Sequence, residues 1–451
     1  GDIIDLMLSS NDIGADKSEQ LDYLPASLIV IEHFVHKYAC PCCARAAAAP
    51  PTAGRAAPSA AAGALESSVP VDEPAAAHSL ENSTPNAVAL PTSVAMPEPE
   101  KPAADEPAHA APTPTVEAQP ALLSGVVVSA AKPSMPIFQG LPGAGLLAHL
   151  LVSKFVDHLP LYRLERIYER QGVFLPRSTT CDWLAACAEL LRPLYAHLVA
   201  VLLQSRALHT DDTPIKIHDP PPGATALGRM WAYLGDAAHP YNAFDFTPNR
   251  KRDGPQQFLK DFQGYLHADA FSGYDGLYLP NPRDRVGRII EVACHAHARR
   301  KFYEARTTDV LRAHTALGTY RQLYALERGA KAAHLDEAGV RNMRQDFAVP
   351  ILDKFKIWLD EQRLEVLPKS PIAAAINYAL NQWTALVRYT EAGFLAIDNN
   401  VAEREMKRLA IGRKNWLFVG SEKGGHTAAV LLSFTATCTR LGVEPWAYLQ
   451  D

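Results

Sequence analysis

One long tract of alanine and proline divides this chain and limits what the whole of it can fold into. Between Ala44 and Pro120, 77 residues contain 24 alanines, 14 prolines and no aromatic residue. A segment with so little bulky apolar surface cannot offset the entropy of ordering its backbone, and we therefore predict a disordered linker. The rest of the 451 residues must fold on either side of it, with room for more than one domain.

The net charge of -5 is unevenly distributed along the chain. Residues 1–43 carry a charge of -5 and the linker carries -6, whereas residues 121–451 carry +6. The net charge of the whole chain is thus negative although residues 121–451 are mildly basic, and this basic region is compatible with a polyanionic partner.

The spacing of the cysteines and the hydropathy of the chain indicate in which cellular compartment the protein is found. The seven cysteines lack the even, regular spacing of a secreted disulfide scaffold, and no uninterrupted apolar run reaches the roughly 18 residues of a membrane helix. The first residues, GDIIDLMLSS, are acidic instead of basic, which argues against a signal peptide. They also lack an initial methionine, so we expect the natural N-terminus to lie upstream. A cytoplasmic protein with no membrane partner is predicted.

Residues 122–205 are predicted to be helical. Leucines between 146 and 151 recur with Phe155 at helical spacing, and a long helix is predicted from about Ser178, as its N-cap, to Gln204. The string GVFLPRSTTCDWL has the order of a helix-turn-helix, with a glycine turn, a polar segment and an apolar anchor. A DNA-reading unit and an ordinary helical hairpin both remain open for this region.

The next part of the chain is predicted to form a sheet. Five strands are expected, at residues 207–217, 230–236, 241–248, 264–270 and 288–294, with a short helix between the third and the fourth. About a hundred helical residues follow, and then come a helix from about Val401 and a last helix from about His426 to Leu441. Three strands, helix, two strands and helix is the order of an RNase H-like fold, here with a helical insertion before the final catalytic helix.

The prediction is thus a multidomain α/β protein with an RNase H-like mixed sheet. Its predicted parts are a partial zinc-finger-like module (1–43), the linker (44–121), the helical region (122–205), the first part of the catalytic core (206–294), the helical insertion (295–395) and the catalytic and C-terminal helices (396–451).

Three acidic residues occupy positions that suit metal-dependent phosphodiester chemistry. Asp211 is in the first strand, Asp269 is at the end of the fourth, and Glu403 is near the start of the helix after the insertion. Two divalent ions about 3.5 to 4 Å apart can clamp the attacking and leaving oxygens of a phosphodiester, and such hard ions prefer carboxylate oxygens. Carboxylates from two strands and one helix could converge at one edge of the sheet.

Each acid also has a structural interpretation. Asp211 and Asp212 could end a strand, Asp269 could belong to a turn, and Glu403 could form a capping box with Asn400. The order of the three acids on the predicted topology favours a shared site over three separate structural roles.

Several strings resemble the signature blocks of one family. LHTDDTPIKI, LHADAFSGYDGL, CHAHARRKF and IDNNVAEREMKRLAIGRKNWLFVGS, preceded by LPLYRLERIYERQGVFLPRSTTCDWL, are similar to the insertion sequence 66 family of transposases, which are DDE enzymes of bacterial mobile elements. The similarity runs from about Leu146 to Leu449. It implies that Asp211, Asp269 and Glu403 are the catalytic acids and hold Mg²⁺ or Mn²⁺.

Two adjacent aspartates, Asp211 and Asp212, occupy the position of the first acid. In this family glutamate commonly follows the first aspartate, whereas this chain has Asp212. Pleating places residues 211 and 212 on opposite faces of a strand, and we assign the ligand role to Asp211.

Basic residues surround the acids in the sequence. Lys407 stands one helical turn after Glu403, where it could hold a phosphate beside the metal ions. Trp416 and Phe418 could stack on an unpaired base, although a core position is favoured for both. The candidate DNA-binding residues are Arg299, Arg300, Lys301, Arg404, Lys407, Arg408, Arg413 and Lys414.

The cysteines supply a second metal hypothesis. LDYLPASLIVIEHFVHKYACPCC resembles the second half of the family's zinc-binding module, whose first cysteine pair would lie upstream of Gly1. Cys40 and Cys43 are therefore candidate Zn²⁺ ligands of an incomplete module. Cys294, His295 and His297 lack a second ligand pair, and packing or phosphate contact is favoured for them.

These observations predict a DNA transposase that cleaves and joins mobile-element ends by two-metal phosphodiester transfer. The alternatives are a catalytically inactive DNA-binding remnant or regulator from a truncated element, and an RNase H-like nuclease without strand transfer. The expected partners are the terminal inverted repeats and target DNA, a second copy of the chain on that DNA, and accessory proteins of the same element. Nucleoid association in a bacterial cytoplasm follows from this function.

Overall fold

The computed structural model describes residues 11–24, 27–39, 127–129, 135–137, 141–219, 221, 226–269, 271, 273–279 and 287–451. The predicted linker, residues 44–121, lies outside the described residues, and so do Cys40 and Cys43.

The N-terminal part contains three strands. β1 (Asn11–Leu24) and β2 (Ser27–Ala39) are neighbours, and β3 (Val127–Ser129) pairs antiparallel with the end of β2. The backbone N–H of Leu21 donates to the carbonyl of Leu141 over 3.1 Å, and an Asp22 carboxylate oxygen accepts the N–H of Leu146 over 2.6 Å. Through these bonds the second half of β1 satisfies backbone groups where the first helix begins.

Four helices precede the main sheet: α1 (Ala144–Phe155), α2 (Leu161–Arg170), α3 (Arg177–Leu190) and α4 (Arg192–Leu202). The prediction of one helix from Ser178 to Gln204 is wrong, because the chain bends by 52° between α3 and α4. The proline in the first turn of α4 is Pro193, which has no N–H and cannot continue the preceding helix. Ser178 is not an N-cap either, since α3 begins after Pro176 without a side-chain cap.

Within the described part of the chain, no single helix has both the length and the apolar composition to span a membrane. Only α3 and α4 taken together across their bend meet those two conditions.

The main sheet has six strands. Its members are β4 (Ala207–Ile217), β5 (Leu227–Leu234), β6 (Asn242–Thr247), β7 (Gly264–Ala268), β8 (Ile289–Ala293) and the short β9 (Phe418–Val419), with helix α5 (Asp253–Phe258) between β6 and β7. The order is β6-β5-β4-β7-β8, and β9 pairs with the end of β4. β4, β5 and β6 are antiparallel, whereas β4, β7 and β8 run parallel. The five predicted strands and the mixed α/β class are confirmed.

The predicted helical insertion follows β8. It consists of α6 (His295–Ala305), α7 (Val310–Ala332), α8 (Glu337–Met343), a π-helical turn (Arg344–Ala348), α9 (Val349–Glu365), α10 (Pro371–Asn381), α11 (Trp383–Val387) and a 3₁₀ turn (Arg388–Glu391). The chain then returns to the sheet as α12 (Asn400–Trp416), α13 (Glu422–Leu441) and α14 (Pro445–Gln450).

Two apolar clusters form the core of this part. The first packs α1–α4, α12 and α13 against the sheet around Trp231 and Phe246. The second joins β8 to the insertion around Phe302, Tyr320 and Phe355. Of the predicted acids, Asp211 lies within β4, Asp269 directly follows β7, and Glu403 is in the first turn of α12.

Candidate active site

Asp211 lies in β4, and Asp269 directly follows the last residue of β7, the neighbouring parallel strand. The two strands pair up to His209 opposite His267. Because side chains alternate between the faces of a strand, Asp211 lies on the same face of β4 as His209. Asp211, Asp212 and Asp269 each place one carboxylate oxygen within 4.8 Å of the others.

The two adjacent aspartates have different electrostatic partners. Asp212 is 1% exposed in its side chain and forms ion pairs with Arg229 over 2.9 Å and with Arg250 over 2.7 Å. Within the described residues Asp211 forms no ion pair, and one of its oxygens accepts the N–H of Asp212 over 2.8 Å. Two guanidinium groups therefore neutralise Asp212, whereas Asp211 keeps an oxygen for a ligand.

Burial changes the pKa values of Asp211 and Asp269. Burial raises the pKa of Asp211 to about 7, and the negative charges of Asp269, Asp212 and Glu403 add to the effect. Burial also raises the pKa of Asp269, with a further contribution from Asp212, while Arg250 at 3.6 Å opposes it. A site that makes its carboxylates costly to ionise is one that a cation would stabilise.

Glu403 lies in the first turn of α12, and its negative charge contributes to the raised pKa of Asp211. Its Oε1 is 3.7 Å from Nε2 of His297, and its Oε2 is 3.6 Å from a guanidinium nitrogen of Arg300. The capping-box interpretation of Glu403 is wrong. The N-cap is Asn399 without a side-chain bond, and the side chain of Asn400 donates to Asp398 over 2.7 Å.

Cys294 and His297 place ligand atoms within 4.8 Å of a Glu403 oxygen. Burial raises the pKa of the Cys294 thiol to about 11, so the group is neutral near pH 7. Its sulfur accepts the N–H of Asn399 over 3.2 Å, and Nε2 of His295 bonds to the carbonyl of Leu386 over 2.8 Å. Cys294 and His295 are thus held by hydrogen bonds within the protein, and His297 lies beside Glu403.

A buried polar network lies beneath the acids, and sequence reasoning missed it. The rings of His209 and His267 stack with centroids 4.3 Å apart, and Nδ1 of His209 is 2.8 Å from Oδ1 of Asn399. The amide of Asn399 donates to the carbonyl of Thr210 over 2.8 Å. A signal was present in the sequence, because His-x-Asp occurs both at 209–211 and at 267–269. Arg229 and Arg250 had no comparable signal.

The eight predicted cationic residues fall into three groups. Arg299, Arg404, Lys407 and Lys414 are exposed. Arg300 and Lys301 line the cleft that contains Asp269, and the ammonium of Lys301 lies 5.0 Å from the centre of the Tyr378 ring.

The remaining two, Arg408 and Arg413, have protein partners. Arg408 is 3.9 Å from Glu405, and Arg413 donates to the side chain of Thr213 over 2.8 Å and to the carbonyl of Pro214. Arg413 thereby holds α12 against β4.

The aromatic pair near the end of α12 separates in the structure. Trp416 is partly buried and packs against the first core, as favoured. Phe418 is 42% exposed and stacks on His218 at 4.7 Å between ring centroids. The core interpretation of Phe418 is wrong, because β9 is a two-residue strand that leaves this side chain at the surface.

The donor set fits a hard divalent ion. Oδ1 of Asp269 and Oε1 of Glu403 are buried and have no hydrogen-bond partner among the described residues. Buried carboxylate oxygens without partners are costly unless a cation or a proton satisfies them. Oxygen ligands of this kind suit Mg²⁺ or Mn²⁺.

Comparison with known proteins places the chain in a family. A family model described as transposase IS66 family matches residues 139–427, and one described as the zinc-finger binding domain of transposase IS66 matches residues 10–44. Two similar proteins of Sinorhizobium fredii are described as uncharacterized protein y4jD and uncharacterized protein y4qI.

The first is 31% identical over 332 residues, which is 72% of this chain and 65% of the relative. The second is 34% identical over 334 residues, 72% of this chain and 61% of the relative. This chain therefore spans less than two thirds of the length of these curated relatives. Since the first family model covers more than half of the residues, the chain belongs to the IS66 family of transposases.

Proposed function

We propose that this protein is a DNA transposase of the DDE type, in which Asp211, Asp269 and Glu403 form the catalytic acid set. The observation that carries the proposal is the cluster of Asp211 and Asp269 with Asp212, whose carboxylate oxygens lie within 4.8 Å of one another, together with the charge of Glu403, which helps to raise the pKa of Asp211. The substrates are the terminal inverted repeats of a mobile element and target DNA.

The strand order supports an RNase H-like core. The antiparallel strands β4–β6 are followed by β7 and β8, which run parallel to β4, and α12 returns to the sheet after the insertion. This order of elements is the one that the sequence predicts for an RNase H-like fold. Asp211 lies in β4, Asp269 directly follows the neighbouring parallel strand β7, and Glu403 is in the first turn of α12.

The acid set would hold two divalent ions, Mg²⁺ or Mn²⁺, which when bound polarise a phosphodiester and lower the pKa of water at the site. The protein's own part is to place its charges. Asp211 in β4 and Asp269 after β7 supply oxygens for the ions, whereas the carboxylate of Asp212 is ion-paired with Arg229 and Arg250. His297 and Arg300 hold Glu403 from the other side.

DNA is held by the cationic residues around this cleft. Arg300 and Lys301 line it directly, and Arg299, Arg404, Lys407, Arg408, Arg413 and Lys414 extend the basic surface along α6 and α12. Phosphate contacts of this kind position a nucleic acid without reading its sequence. The hairpin of α2 and α3 stays a candidate for sequence reading, and Cys40 and Cys43 stay candidate Zn²⁺ ligands.

The test is cleavage and strand transfer of element-end DNA with Mg²⁺. We expect Asp211→Asn, Asp269→Asn and Glu403→Gln each to lower the rate at least about 100-fold, which corresponds to about 2.7 kcal/mol of activation free energy. Asp353→Asn, at an exposed position of α9, is the matched control and should keep full activity. Chelation of divalent ions should abolish both reactions.

Three outcomes would decide among the alternatives. Full activity in any acid variant would remove that residue from the catalytic set. Cleavage without joining would indicate a nuclease. DNA binding without any cleavage by the wild-type chain would indicate an inactive binding remnant.

A further inference from the structure

A wide cationic groove lies between α6 and α7 in the helical insertion. Its volume is about 1130 Å³. Its basic lining residues are Arg299, Arg300, Arg306, His314, Arg321 and Arg328, and among the described lining residues Glu304 is the one acid. An excess of arginine of this size in one concave surface favours a polyanion.

Three of the five arginines that line this groove are available for a ligand. Arg299, Arg321 and Arg328 form no ion pair with any residue that the structure describes. Arg321 and Arg328 are seven residues apart on α7, and so they lie on one face about 10.5 Å apart. One nucleotide step along a strand rises about 3.4 Å, and the two side chains would therefore contact different phosphates.

The groove also offers an aromatic surface. Tyr303 is 46% exposed, and the guanidinium of Arg306 lies 3.5 Å from the centre of its ring. Exposed aromatic rings and arginine planes provide stacking surfaces for unpaired bases, which duplex DNA does not present. The lining thus favours a single strand over a duplex.

The groove is continuous with the acid cleft. Arg300 and Glu304 line both, and Arg300 is 3.6 Å from Glu403. At the other side of the boundary the groove includes Asn400, three residues before Glu403 in the first turn of α12. A strand that leaves the acid cluster can therefore pass directly over Arg300 into the groove.

We propose that this groove binds a single DNA strand that leads to or from the acid cluster, with Arg321 and Arg328 holding its phosphates. The inference rests on the proposed function, since it assigns the helical insertion a role in that reaction. It places DNA contacts on α7, well outside the basic residues that flank the acids in sequence.

The experiment measures the affinity of the full chain for a labelled single-stranded oligonucleotide by fluorescence anisotropy, in EDTA, over a series of NaCl concentrations. Arg321→Ala with Arg328→Ala should weaken binding about tenfold or more. The affinity should also become less dependent on salt. The negative slope of log affinity against log salt should decrease in magnitude by about 0.7 for each phosphate that the chain no longer neutralises. Replacing both residues by lysine should retain most of the slope.

The control is Lys354→Ala with Arg363→Ala. This pair removes the same charge from exposed positions of α9 that do not line the groove. If the two double variants lost affinity equally, the loss would come from the lower net charge alone, and the proposal would be wrong. Unchanged single-strand affinity in the alanine variant of α7, or a loss confined to duplex DNA, would also overturn it.

Binding in EDTA separates this proposal from the catalytic one. If the acids are not catalytic, the wild-type chain will not cleave with Mg²⁺, but the difference between the two double variants in EDTA will persist. If the groove does not bind DNA, the acid variants will still lose cleavage while the α7 variant behaves as wild type.

Discussion

At the scale of single residues, two neighbouring aspartates have opposite environments. Asp212 is held by two arginines, whereas Asp211 accepts a backbone N–H and lies close to other carboxylates. Strand alternation predicted that only one of them would serve as a ligand. It could not supply the arginines, because Arg229 and Arg250 come from other segments that approach β4 only in the folded chain.

The raised pKa of Asp211 predicts a pH-dependent stability. Its pKa is about 7 in the folded state and near 3.8 in the unfolded chain, so the folded state binds more protons between these values. Stability therefore falls as the pH rises from about 4 to 7. Asp211→Asn should raise the Tm in EDTA at pH 8 and have a smaller effect at pH 5. The upper limit is about 4 kcal/mol, at about 1.4 kcal/mol for each pKa unit.

Thermal unfolding in EDTA with Asp353→Asn as control measures this effect. Added Mg²⁺ at pH 8 should stabilise the wild-type chain and leave Asp211→Asn unchanged. An equal shift of Tm at both pH values would contradict the electrostatic origin of the effect.

At the scale of elements, the five longer strands of the main sheet were predictable and the helix junctions were not. β4 was predicted with its observed bounds, Ala207–Ile217, from its residue types and the turn residues around it. The two-residue β9 and the N-terminal strands β1 to β3 were not predicted. The bend between α3 and α4 was missed, because the apolar pattern continues across Pro193. The capping box, the structural alternative for Glu403, is not formed, because Asp398, outside that motif, binds Asn400.

The start of α12 depends on Asn399, which is 1% exposed. Its amide must donate to the carbonyl of Thr210, so its oxygen faces His209 and accepts the proton on Nδ1. This residue therefore joins the helix of Glu403 to the strand of Asp211. We expect Asn399→Ala to lower kcat at least tenfold, a loss of about 1.4 kcal/mol, while DNA affinity stays within about twofold of wild type.

Single-turnover cleavage and anisotropy, at a temperature where the variant is folded, separate the two effects. Removing these hydrogen bonds should cost about 1–3 kcal/mol of stability. Asn342→Ala, at an exposed position of α8, should change neither quantity. An unchanged kcat in the Asn399 variant would exclude a positioning role, and an equal fall in DNA affinity would indicate a general disruption.

At the scale of the whole molecule, the position of Glu403 depends on the insertion. About a hundred residues separate β8 from α12, and they pack as a second core that includes Val292 and Ala293 of β8. Hydrogen bonds join this insertion to the segment before α12. The N–H of His295 donates to the carbonyl of Ile397, Tyr324 donates to Asp398 over 2.9 Å, and Arg344 donates to the carbonyl of Ala392. The existence of the insertion was predictable from its helical pattern, but these bonds between distant segments were not.

A cavity in the second core should therefore impair catalysis from a distance. Phe355 is 4% exposed and contacts the rings of Phe302, Tyr320, Trp358 and Trp383. Phe355→Ala should cost about 3–5 kcal/mol. Since the sheet belongs to another core, we expect amide exchange to accelerate in α9 and α10 before it does in β4 and β5. In the Phe355→Ala variant, cleavage should be lost at the urea concentration at which the insertion unfolds. Leu364→Ala, on the same helix but 84% exposed, should leave both unchanged. If cleavage persisted while the insertion exchanged freely, the sheet and α12 would hold Glu403 without it, and the second core would have no part in assembling the acid cluster.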